Sequence, residues 1–281
     1  MTGWAIRVPA SSANLGAGFD VLGMALTLHA EAGVGDPPAD AAAVDPRHPA
    51  RVAFELAGGT GPLWLISPIP VSRGLGFSGA VRVAGAAAAL VQQRGQSALD
   101  DESTRRQMLE ITSRLERHTD NVAASIYGGV VVAAGQHVAR VPLAFNPTVV
   151  VWIPDATTTS TEQSRGRLPD TVSLADAVFN IGRAATLVAA CAAGDHAALR
   201  IATEDRIHQA ARLAHVPESA AAIEAALSAG AWAAWLSGSG PTVAALCESS
   251  RADEIASRLP AGGHTKLLRI DHEGVAVTAL A

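Results

Sequence analysis

Alternating apolar and polar positions predict short strands in the first quarter of the chain. Residues 4–9 alternate with a period of two, and residues 19–28 and 63–69 are apolar runs of strand length. Both patterns are typical of strands with at least one buried face. Residues 11–18 are small and polar and predict a loop. The four prolines within residues 33–49 predict a second, exposed loop.

Helical spacing replaces this alternation in the middle of the chain. Apolar residues of the segment 103–117 recur on one side of a helix, and an alanine-rich run follows the glycines of residues 74–79. The predicted helices are residues 51–56, 80–93, 103–117 and a further helix that includes 122–126. The paired glycines Gly128 and Gly129 end that helix, and strands follow at 130–134 and 138–141.

The second half contains its own mixture of strands and helices, and the segment 142–147, bounded by prolines, predicts a domain boundary. We therefore divide the chain into domains 1–147 and 148–281. Residues 155–167 predict a polar loop. The predicted strands are residues 148–153, 231–236, 242–247 and 266–270. The predicted helices are residues 176–193, 196–206, 218–229 and 251–259. This order of elements predicts an α+β fold in two halves.

Composition narrows the chemistry that this fold can carry. The chain has 281 residues, of which 49 % are apolar, so it can bury a sizeable core. A net charge of −5 gives no electrostatic reason to bind nucleic acid or an anionic membrane. Lys266 is the only lysine, and its position suits neither a lysine-dependent phosphate loop nor a Schiff base. A nucleotide site would therefore use backbone amides, helix ends, hydroxyls and arginines.

The sequence also predicts the compartment. Cys191 and Cys247 lie among apolar residues and are expected to be buried thiols in a reducing environment. The N-terminus lacks the pattern of a signal peptide, and no apolar run approaches the roughly 18 residues of a spanning helix. We expect a soluble cytoplasmic protein with no nucleic-acid partner and no membrane partner.

A glycine loop, residues 74–79, opens the alanine-rich helix. The free N–H groups and the positive dipole end of such a helix attract phosphate oxygens. Glycine also lets the backbone approach a ligand closely. Ser78 is a candidate helix cap, phosphate donor or Mg²⁺ ligand. The alternative is an ordinary helix start, and the loop alone does not decide between the two.

A polar cluster, residues 116–121, separates two predicted helices. Glu116 is a candidate ligand for Mg²⁺ on the β- and γ-phosphates. Asp120 or Asn121 is a candidate for orienting an attacking hydroxyl. The alternative is a solvated helix end at Glu116 and a helix cap at Asp120 or Asn121, and in isolation this alternative is favoured.

Two further loops and two arginines complete the candidates. Residues 8–20 form a long turn-rich segment. Residues 237–242 form a loop of small residues that is a plain turn, or a place where backbone packs against a ligand or against the first loop. Arg165 and Arg212 are candidates for gripping a carboxylate with two parallel hydrogen bonds. A solvated surface charge is the commoner role for any single arginine.

Taken together and in this order, these segments resemble the homoserine kinase branch of the GHMP kinases. Residues 8–26 are similar to the family's first motif, Pro-Ala-Ser-Ser-Ala-Asn-Leu-Gly-x-Gly-Phe-Asp-x-Leu-Gly. Residues 69–80 resemble the second, Ile-Pro-x-x-x-Gly-Leu-Gly-Ser-Ser, and residues 237–242 resemble the third. Residues 118–123 are similar to the His-x-Asp-Asn-Val-Ala stretch of homoserine kinases. The resemblance covers nearly the whole chain.

The resemblance implies a fold and a reaction. The fold is a two-domain α+β GHMP kinase fold, with a first domain like ribosomal protein S5 domain 2, a ferredoxin-like second domain and the site between them. The reaction is the ATP- and Mg²⁺-dependent phosphorylation of L-homoserine, a step of threonine biosynthesis. The resemblance also makes a homodimer plausible. A GHMP kinase for another small hydroxy acid, and a catalytically silent amino-acid-binding homologue, are the alternatives.

The resemblance also assigns roles to residues of this chain. Asp20 would bind the ammonium group of the amino acid, and Arg165 and Arg212 its carboxylate. The implied substrate contacts are Asn14, Asp20, His118, Arg165, Arg212 and Gly238. The implied nucleotide contacts are Pro70, Arg73, Gly74, Leu75, Gly76, Phe77, Ser78 and Gly79. The implied Mg²⁺ ligands are Ser78 and Glu116, with Glu110 as the alternative to Glu116. Asn121 would orient the acceptor hydroxyl, and Asp120 as a base is the less favoured option.

The chain departs from the family pattern beside the phosphates. Phe77 stands where the first serine of the loop is usual, which removes a hydroxyl and adds bulk, and Gly79 replaces the usual alanine. Pro49 and Ala50 stand where Asn-Leu is usual in a shortened segment before the loop. Phe77 is the only feature that favours the silent homologue.

Overall fold

Two antiparallel sheets with helices packed on them organise the chain. The structure is a computed structural model that describes residues 3–39, 41–116, 118–158 and 161–280. The strands are β1 (Trp4–Ala13), β2 (Leu22–Val34), β3 (Ala42–Ala43), β4 (Leu63–Ile66), β5 (Val130–Ala134), β6 (His137–Val141), β7 (Thr148–Pro154), β8 (Ala233–Leu236), β9 (Val243–Cys247), β10 (Gly263–Leu268) and β11 (Ala276–Ala279). The helices are α1 (Pro49–Leu56), α2 (Phe77–Arg94), α3 (Glu102–Glu116), α4 (Asp120–Tyr127), α5 (Thr161–Arg165), α6 (Leu174–Ala193), α7 (His196–Ala202), α8 (Gln209–Leu213), α9 (Pro217–Ser228) and α10 (Ala252–Arg258).

The first sheet is built around the long pair β1 and β2. Its strand order is β11-β1-β2-β4-β3, and β5 pairs with both β2 and β6. The register of β1 on β2 shifts between Pro9 and Ala10, because a proline offers no N–H to the ladder. The strand nevertheless continues to Ala13, so the loop predicted to begin at Ser11 is wrong for its first three residues. Ser11 and Ser12 remain in the strand although buried, because both hydroxyls have hydrogen-bond partners.

Helix α2 lies across β1 and β2 and is the central helix of this domain. Every residue from Gly79 to Val91 is buried except Arg82. The small side chains let α1 cross closely, since a Cβ placed on Gly85 would lie 2.0 Å from the carbonyl oxygen of Ala50. The helix begins at Phe77 rather than at the predicted residue 80. Its first turn is therefore part of the glycine loop.

The second sheet has the order β10-β7-β9-β8, and β7 is buried on both faces. Val149, Val151 and Ile153 pack into the core that continues under the first sheet. Val150 and Trp152 point the other way, into clusters that α9 and α10 cover. This alternation with a period of two confirms the buried strand that the sequence predicted for residues 148–153.

The last strand crosses back to the first sheet. β11 pairs antiparallel with β1, and Trp4 lies opposite Ala279. The sequence did not predict this strand, because four residues of Ala-Val-Thr-Ala carry almost no pattern. One strand from the predicted second half therefore belongs to the first sheet.

Two other helices were not predicted as they stand. α5 forms within the predicted polar loop, of which residues 159 and 160 lie outside the described residues. The helix predicted for 196–206 ends at Ala202, and the short helix α8 follows. The reason is Asp205, whose carboxylate accepts hydrogen bonds from the backbone N–H groups of His208 at 2.8 Å and Gln209 at 2.7 Å. It thereby starts a new turn.

One helix is of membrane-spanning length, although Asp176, Asn180 and Arg183 interrupt its apolar residues. By length and composition, α6 is apolar enough to cross a bilayer, the only such helix among the described residues, and 22 % of its apolar stretch is buried. It contacts α7 and β6 and carries Asp176 and Arg183. One such helix is weak evidence for a membrane span, so the absence of a membrane partner stays a prediction.

The two cysteines are free and buried, as predicted. Burial raises the pKa of the Cys191 and Cys247 thiols to about 11 in each case. Both therefore stay protonated and unreactive near neutral pH.

Candidate active site

One cavity of about 570 Å³ brings the sequence motifs together. Every site residue that the sequence predicted lines it except Leu75, which is fully buried beneath the glycine loop. Glu110, the alternative metal ligand, lies elsewhere. It is exposed on α3 and forms an ion pair with Arg114 at 2.5 Å. The loops that form the cavity come from both halves of the chain.

The first loop is held in a conformation that few residues adopt. Asn14 and Asp20 have positive φ angles of 71° and 58°, a region that Asn and Asp tolerate better than most side chains. The Asn14 amide donates from Nδ2 to the carbonyl of Gly238 at 2.9 Å and accepts at Oδ1 from the Asp20 N–H at 3.1 Å. Asn14 therefore ties the first loop to the loop at 237–242.

Two arginines and one aromatic ring form the end of the cavity next to this loop. Arg165 pairs with Asp20, with 2.5 Å between Nη2 and Oδ1. The guanidinium carbons of Arg165 and Arg212 lie 5.5 and 5.2 Å from the centre of the Phe19 ring. Burial, and then the charge of Arg165, lower the pKa of Arg212 to about 10. Arg212 is thus still a cation at neutral pH, and its buried Nε lacks a hydrogen-bond partner among the described residues.

This end can therefore bind a carboxylate. A buried donor without a partner costs about 1–3 kcal/mol, and two arginines side by side repel one another. A ligand carboxylate relieves both. We refer to the group Asn14, Phe19, Asp20, Arg165, His208 and Arg212 as the amino-acid end of the cavity.

His208 holds Arg212 in place, although no sequence motif pointed to this histidine. Its Nε2 lies 2.8 Å from the carbonyl oxygen of Gly16 and therefore donates, which leaves Nδ1 to accept from Arg212 Nη1 at 3.1 Å. Burial lowers the pKa of His208, which favours this neutral form. The ring also stacks on Phe19 at 5.1 Å. The available signal was the spacing of four between His208 and Arg212, which places both on one side of a helix.

The polar cluster at the start of α4 lies in the middle of the cavity. The Oδ1 atom of Asp120 accepts from Nδ1 of His118 at 2.9 Å and from the Asn121 N–H at 2.8 Å. Asn121 Oδ1 accepts from the Ser11 hydroxyl at 2.8 Å. Asp120 is 2 % exposed. It therefore acts as a fixed acceptor that orients the two residues beside it.

The glycine loop requires glycine at two positions. Gly74 and Gly76 have positive φ angles of 77° and 67°. A Cβ on Gly74 would lie 2.3 Å from the carbonyl oxygen of Ser237, and one on Gly76 would lie 2.0 Å from the Ser11 hydroxyl. No side chain caps the N-terminus of α2. Its first-turn N–H groups thus form an anion site of the kind that binds phosphate.

Hydroxyl groups lock the three loops together. The Ser237 hydroxyl lies 2.8 Å from the Ser12 hydroxyl and 2.7 Å from the carbonyl oxygen of Gly74. The indole Nε1 of Trp235 donates to Ser12 at 3.0 Å. The loop at 237–242 therefore packs against the glycine loop and against the first loop at the end of β1, which confirms the loop-packing alternative over a plain turn.

Ser78 and Glu116 form the candidate metal pair. The Ser78 hydroxyl donates to Glu116 Oε1 at 2.6 Å, and the guanidinium of Arg82 forms an ion pair with the same oxygen. Among the described residues no cluster of three His, Cys, Asp or Glu side chains suits a metal. Mg²⁺ is commonly held by one or two protein oxygens together with phosphates and waters, so a carboxylate and a hydroxyl beside a phosphate loop fit it. We call Gly74, Gly76, Ser78, Arg82 and Glu116 the phosphate end.

Two predicted nucleotide contacts have additional partners. Arg73 donates through Nη2 to the carbonyl oxygen of Asp155 at 2.9 Å and also contacts that of Pro154, so it ties the loop to the end of β7. Phe77 meets the ring of His48 edge-on, with 6.2 Å between the ring centres. The phenyl ring that replaces the family's serine therefore packs on the N-cap residue of α1.

Comparisons with known proteins agree with this architecture. Residues 47–129 match the family model described as GHMP kinases N terminal domain, and residues 187–265 match GHMP kinases C terminal. A homoserine kinase of Desulfitobacterium hafniense is 36 % identical, with 97 % of this chain and 99 % of that protein aligned. A homoserine kinase of Streptomyces avermitilis is 38 % identical, with 98 % and 96 % aligned.

Solved structures of related proteins have the same fold as this chain. The crystal structure of homoserine kinase from Cytophaga hutchinsonii superposes with a TM-score of 0.83 at 25 % identity, over 99 % of this chain and 98 % of that one. The structure of a putative homoserine kinase from Listeria monocytogenes has a TM-score of 0.79 at 28 % identity, over 99 % and 100 %. These matches confirm the predicted two-domain α+β fold.

Proposed function

The chain belongs to the GHMP kinase family, and on this premise we propose that it transfers the terminal phosphoryl group of ATP to the side-chain hydroxyl of L-homoserine, forming O-phospho-L-homoserine. The observation that carries the proposal is the shared cavity. It joins an end with one carboxylate and two arginines to a glycine loop at a helix N-terminus. An amino acid and a nucleoside triphosphate are complementary to these two ends.

The amino-acid end matches both charges of the substrate. Asp20 binds the ammonium group, and Arg212 binds the carboxylate with the hydrogen-bond capacity that its buried Nε retains. Arg165, which pairs with Asp20, completes the carboxylate site. His118 and Asn14 border the space between these charges and the phosphate loop.

Phosphoryl transfer needs positioning more than covalent help. Its transition state is loose, and electrostatic stabilisation and alignment supply most of the catalysis. Asn121 orients the acceptor hydroxyl, and Asp120 positions Asn121 and His118 through its Oδ1 atom. The backbone N–H groups of the loop hold the phosphates. This arrangement favours Asp120 as a positioning residue over Asp120 as the base.

Mg²⁺ would be held by Ser78 and Glu116. When bound, the ion neutralises charge on the β- and γ-phosphates. We further propose that the reaction takes place in the cytoplasm, without a nucleic-acid or membrane partner, as part of threonine biosynthesis. A homodimer is a further proposal that sedimentation or light scattering would test.

The decisive experiment follows ADP release from ATP–Mg²⁺ with and without L-homoserine, together with phosphorus NMR of the product. We expect homoserine-dependent turnover and an O-phosphohomoserine signal. A panel of hydroxylated acceptors separates homoserine from other small hydroxy acids. If calorimetry shows homoserine binding and no acceptor supports turnover, the protein is a silent amino-acid-binding homologue and the proposal fails.

A further inference from the structure

Arg82 is a charged residue at the phosphate end that the sequence motifs do not include. It lies one turn after Ser78 on α2, and its guanidinium Nη1 contacts both the Ser78 hydroxyl and Glu116 Oε1. The side chains of Arg82 and Glu116 are 19 % and 10 % exposed. Arg82 interrupts the otherwise buried run from Gly79 to Val91, so a charged residue lies on a helix whose other residues in this run are all buried.

The position of Arg82 is behind the candidate metal ligands. Ser78 and Glu116 line the cavity, whereas Arg82 is not among its lining residues. Its Nε is buried and has no hydrogen-bond partner among the described residues. Its charge is also sensed by His48, whose pKa is lowered by burial and further by Arg82. Arg82 therefore acts on the cavity through Glu116 and Ser78.

Repulsion between the Glu116 carboxylate and the phosphates of ATP explains why an arginine is paired with Glu116. ATP carries several negative charges, and a nearly buried carboxylate beside the phosphate loop repels them. A divalent cation removes this repulsion, and so does a resident arginine, which stays protonated in proteins. The pair also fixes the Glu116 carboxylate and the Ser78 hydroxyl against one another, so neither side chain must be ordered when the nucleotide arrives.

We propose that Arg82 is a positioning residue of the nucleotide site, a resident counter-ion that neutralises Glu116 and holds Ser78, so that nucleotide binds even without a divalent metal. This inference rests on the proposed ATP site. It goes beyond that proposal because it assigns part of the charge balance, usually left to Mg²⁺, to a side chain of this protein.

The test compares nucleotide affinity with and without metal. Calorimetry measures the dissociation constant of the non-hydrolysable ATP analogue AMP-PNP in excess EDTA and in excess Mg²⁺. For Arg82→Met we expect affinity in EDTA to fall at least about tenfold, because Glu116 is left unbalanced. In Mg²⁺ the change should stay within about threefold, because the ion supplies the missing charge.

Three further variants keep the test decisive. Arg82→Met combined with Glu116→Gln removes both charges and should restore metal-free affinity to within about threefold of the wild type. Arg82→Lys keeps the charge and should bind AMP-PNP in EDTA nearly as the wild type does, which also covers a methionine variant that folds poorly. Arg106→Met removes an exposed arginine of an ion pair on α3 and should change nothing.

Equal losses in EDTA and in Mg²⁺, or no loss in EDTA, would overturn the proposal, since a merely structural arginine changes both conditions alike. Failure of the double variant to recover would overturn it as well. The proposed function fails differently: the wild type would then either not bind AMP-PNP–Mg²⁺ at all or show no homoserine-dependent turnover of ATP–Mg²⁺. The two failures are therefore distinguishable before any variant is made.

Discussion

The two ends of the cavity hold their charges in different ways. At the amino-acid end, side chains from distant parts of the chain hold one another. Asp20 pairs with Arg165, and Arg212 is held by His208, which is itself anchored on Gly16. At the phosphate end, the groups that face the ligand are backbone N–H groups of a glycine loop. The charged pair of Arg82 and Glu116 joins the neighbouring helices α2 and α3.

This difference indicates which structural features determine ligand binding at each end of the cavity. The amino-acid end depends on side-chain identity, because each charge has a counter-charge or an acceptor at a fixed distance. The phosphate end depends on backbone shape, because only glycine fits where loops pass within van der Waals distance of one another. Removing a side chain should therefore weaken ligand binding at the amino-acid end, and adding a methyl group to a glycine should weaken ligand binding at the phosphate end.

The largest expected effect comes from Arg212→Met. It removes the charged donor to the substrate carboxylate and leaves the His208 Nδ1 acceptor unpaired, whereas the Gly238 carbonyl keeps its hydrogen bond from Asn14. Hydrogen bonds to charged groups contribute about 1.5–3 kcal/mol each, so kcat/KM for homoserine should fall about 100- to 1000-fold. Steady-state kinetics measures this, and the AMP-PNP dissociation constant should change less than about twofold.

Arg183→Met is the matched control for this variant. Arg183 also stacks on a phenylalanine, with 4.3 Å to the ring centre of Phe179, and pairs with Glu204, but it does not line the cavity. Homoserine kinetics should be unchanged. If Arg212→Met leaves the homoserine KM at the wild-type value, the assignment of Arg212 to the substrate carboxylate is wrong.

The second effect comes from Gly76→Ala at the phosphate end. The new methyl group would lie 2.0 Å from the Ser11 hydroxyl and 3.0 Å from Asn121 Oδ1, at a φ of 67°. The loop must shift, so AMP-PNP affinity should fall about 30-fold, while homoserine binding changes less. Calorimetry with each ligand checks both values.

Gly61→Ala separates backbone strain from steric collision. Gly61 also has a positive φ, 86°, but an added Cβ there meets nothing within 4 Å. This variant should lose about 1 kcal/mol of unfolding free energy and keep full nucleotide affinity. Nucleotide binding by Gly76→Ala at wild-type strength would contradict the view that the phosphate end depends on backbone shape.

The sequence predicted the two ends unequally. Asn14, Asp20 and Arg212 belong to motifs or were singled out as charges, and the structure brings them to one cavity. His208 was not identified, and Phe19, although part of the first motif, was given no role, because their contributions depend on stacking and hydrogen bonds between residues about 190 positions apart. Only the tertiary fold reveals such contacts.

The limits of local sequence patterns also explain the errors in the predicted helices and strands. Helix α2 was predicted from its alanines, and only its first turn was misplaced, because glycines usually lie outside helices. β11 was missed because its stability comes from pairing with β1, at the other end of the chain. Arg82 lies on the predicted helix, but Ser78 lies before its predicted start at residue 80, so their contact at a spacing of four within α2 was not predicted. No motif pointed to it.

The smallest expected effect is a pH dependence of stability due to His208. Burial lowers the folded-state pKa of this histidine below its ordinary value of about 6.5. The stabilisation it provides is therefore complete above about pH 6.5 and is lost as the pH falls below that value towards the folded-state pKa. His208→Gln keeps a donor for the Gly16 carbonyl and does not titrate.

Urea denaturation of both proteins at pH 7.5, 6.5 and 5.5 measures the difference. At pH 7.5 the variant should be about 1 kcal/mol less stable, because the stack on Phe19 and the bond to Arg212 are weakened. By pH 5.5 the gap should narrow, because the histidine of the unfolded wild type takes up a proton that the buried ring of the folded state does not, and this lowers the stability of the wild type only. His48, whose pKa burial also lowers, is present in both proteins and cancels. A gap that stays constant with pH would show that His208 is not a buried neutral acceptor for Arg212, and the amino-acid end would then be less rigidly held than its hydrogen bonds indicate.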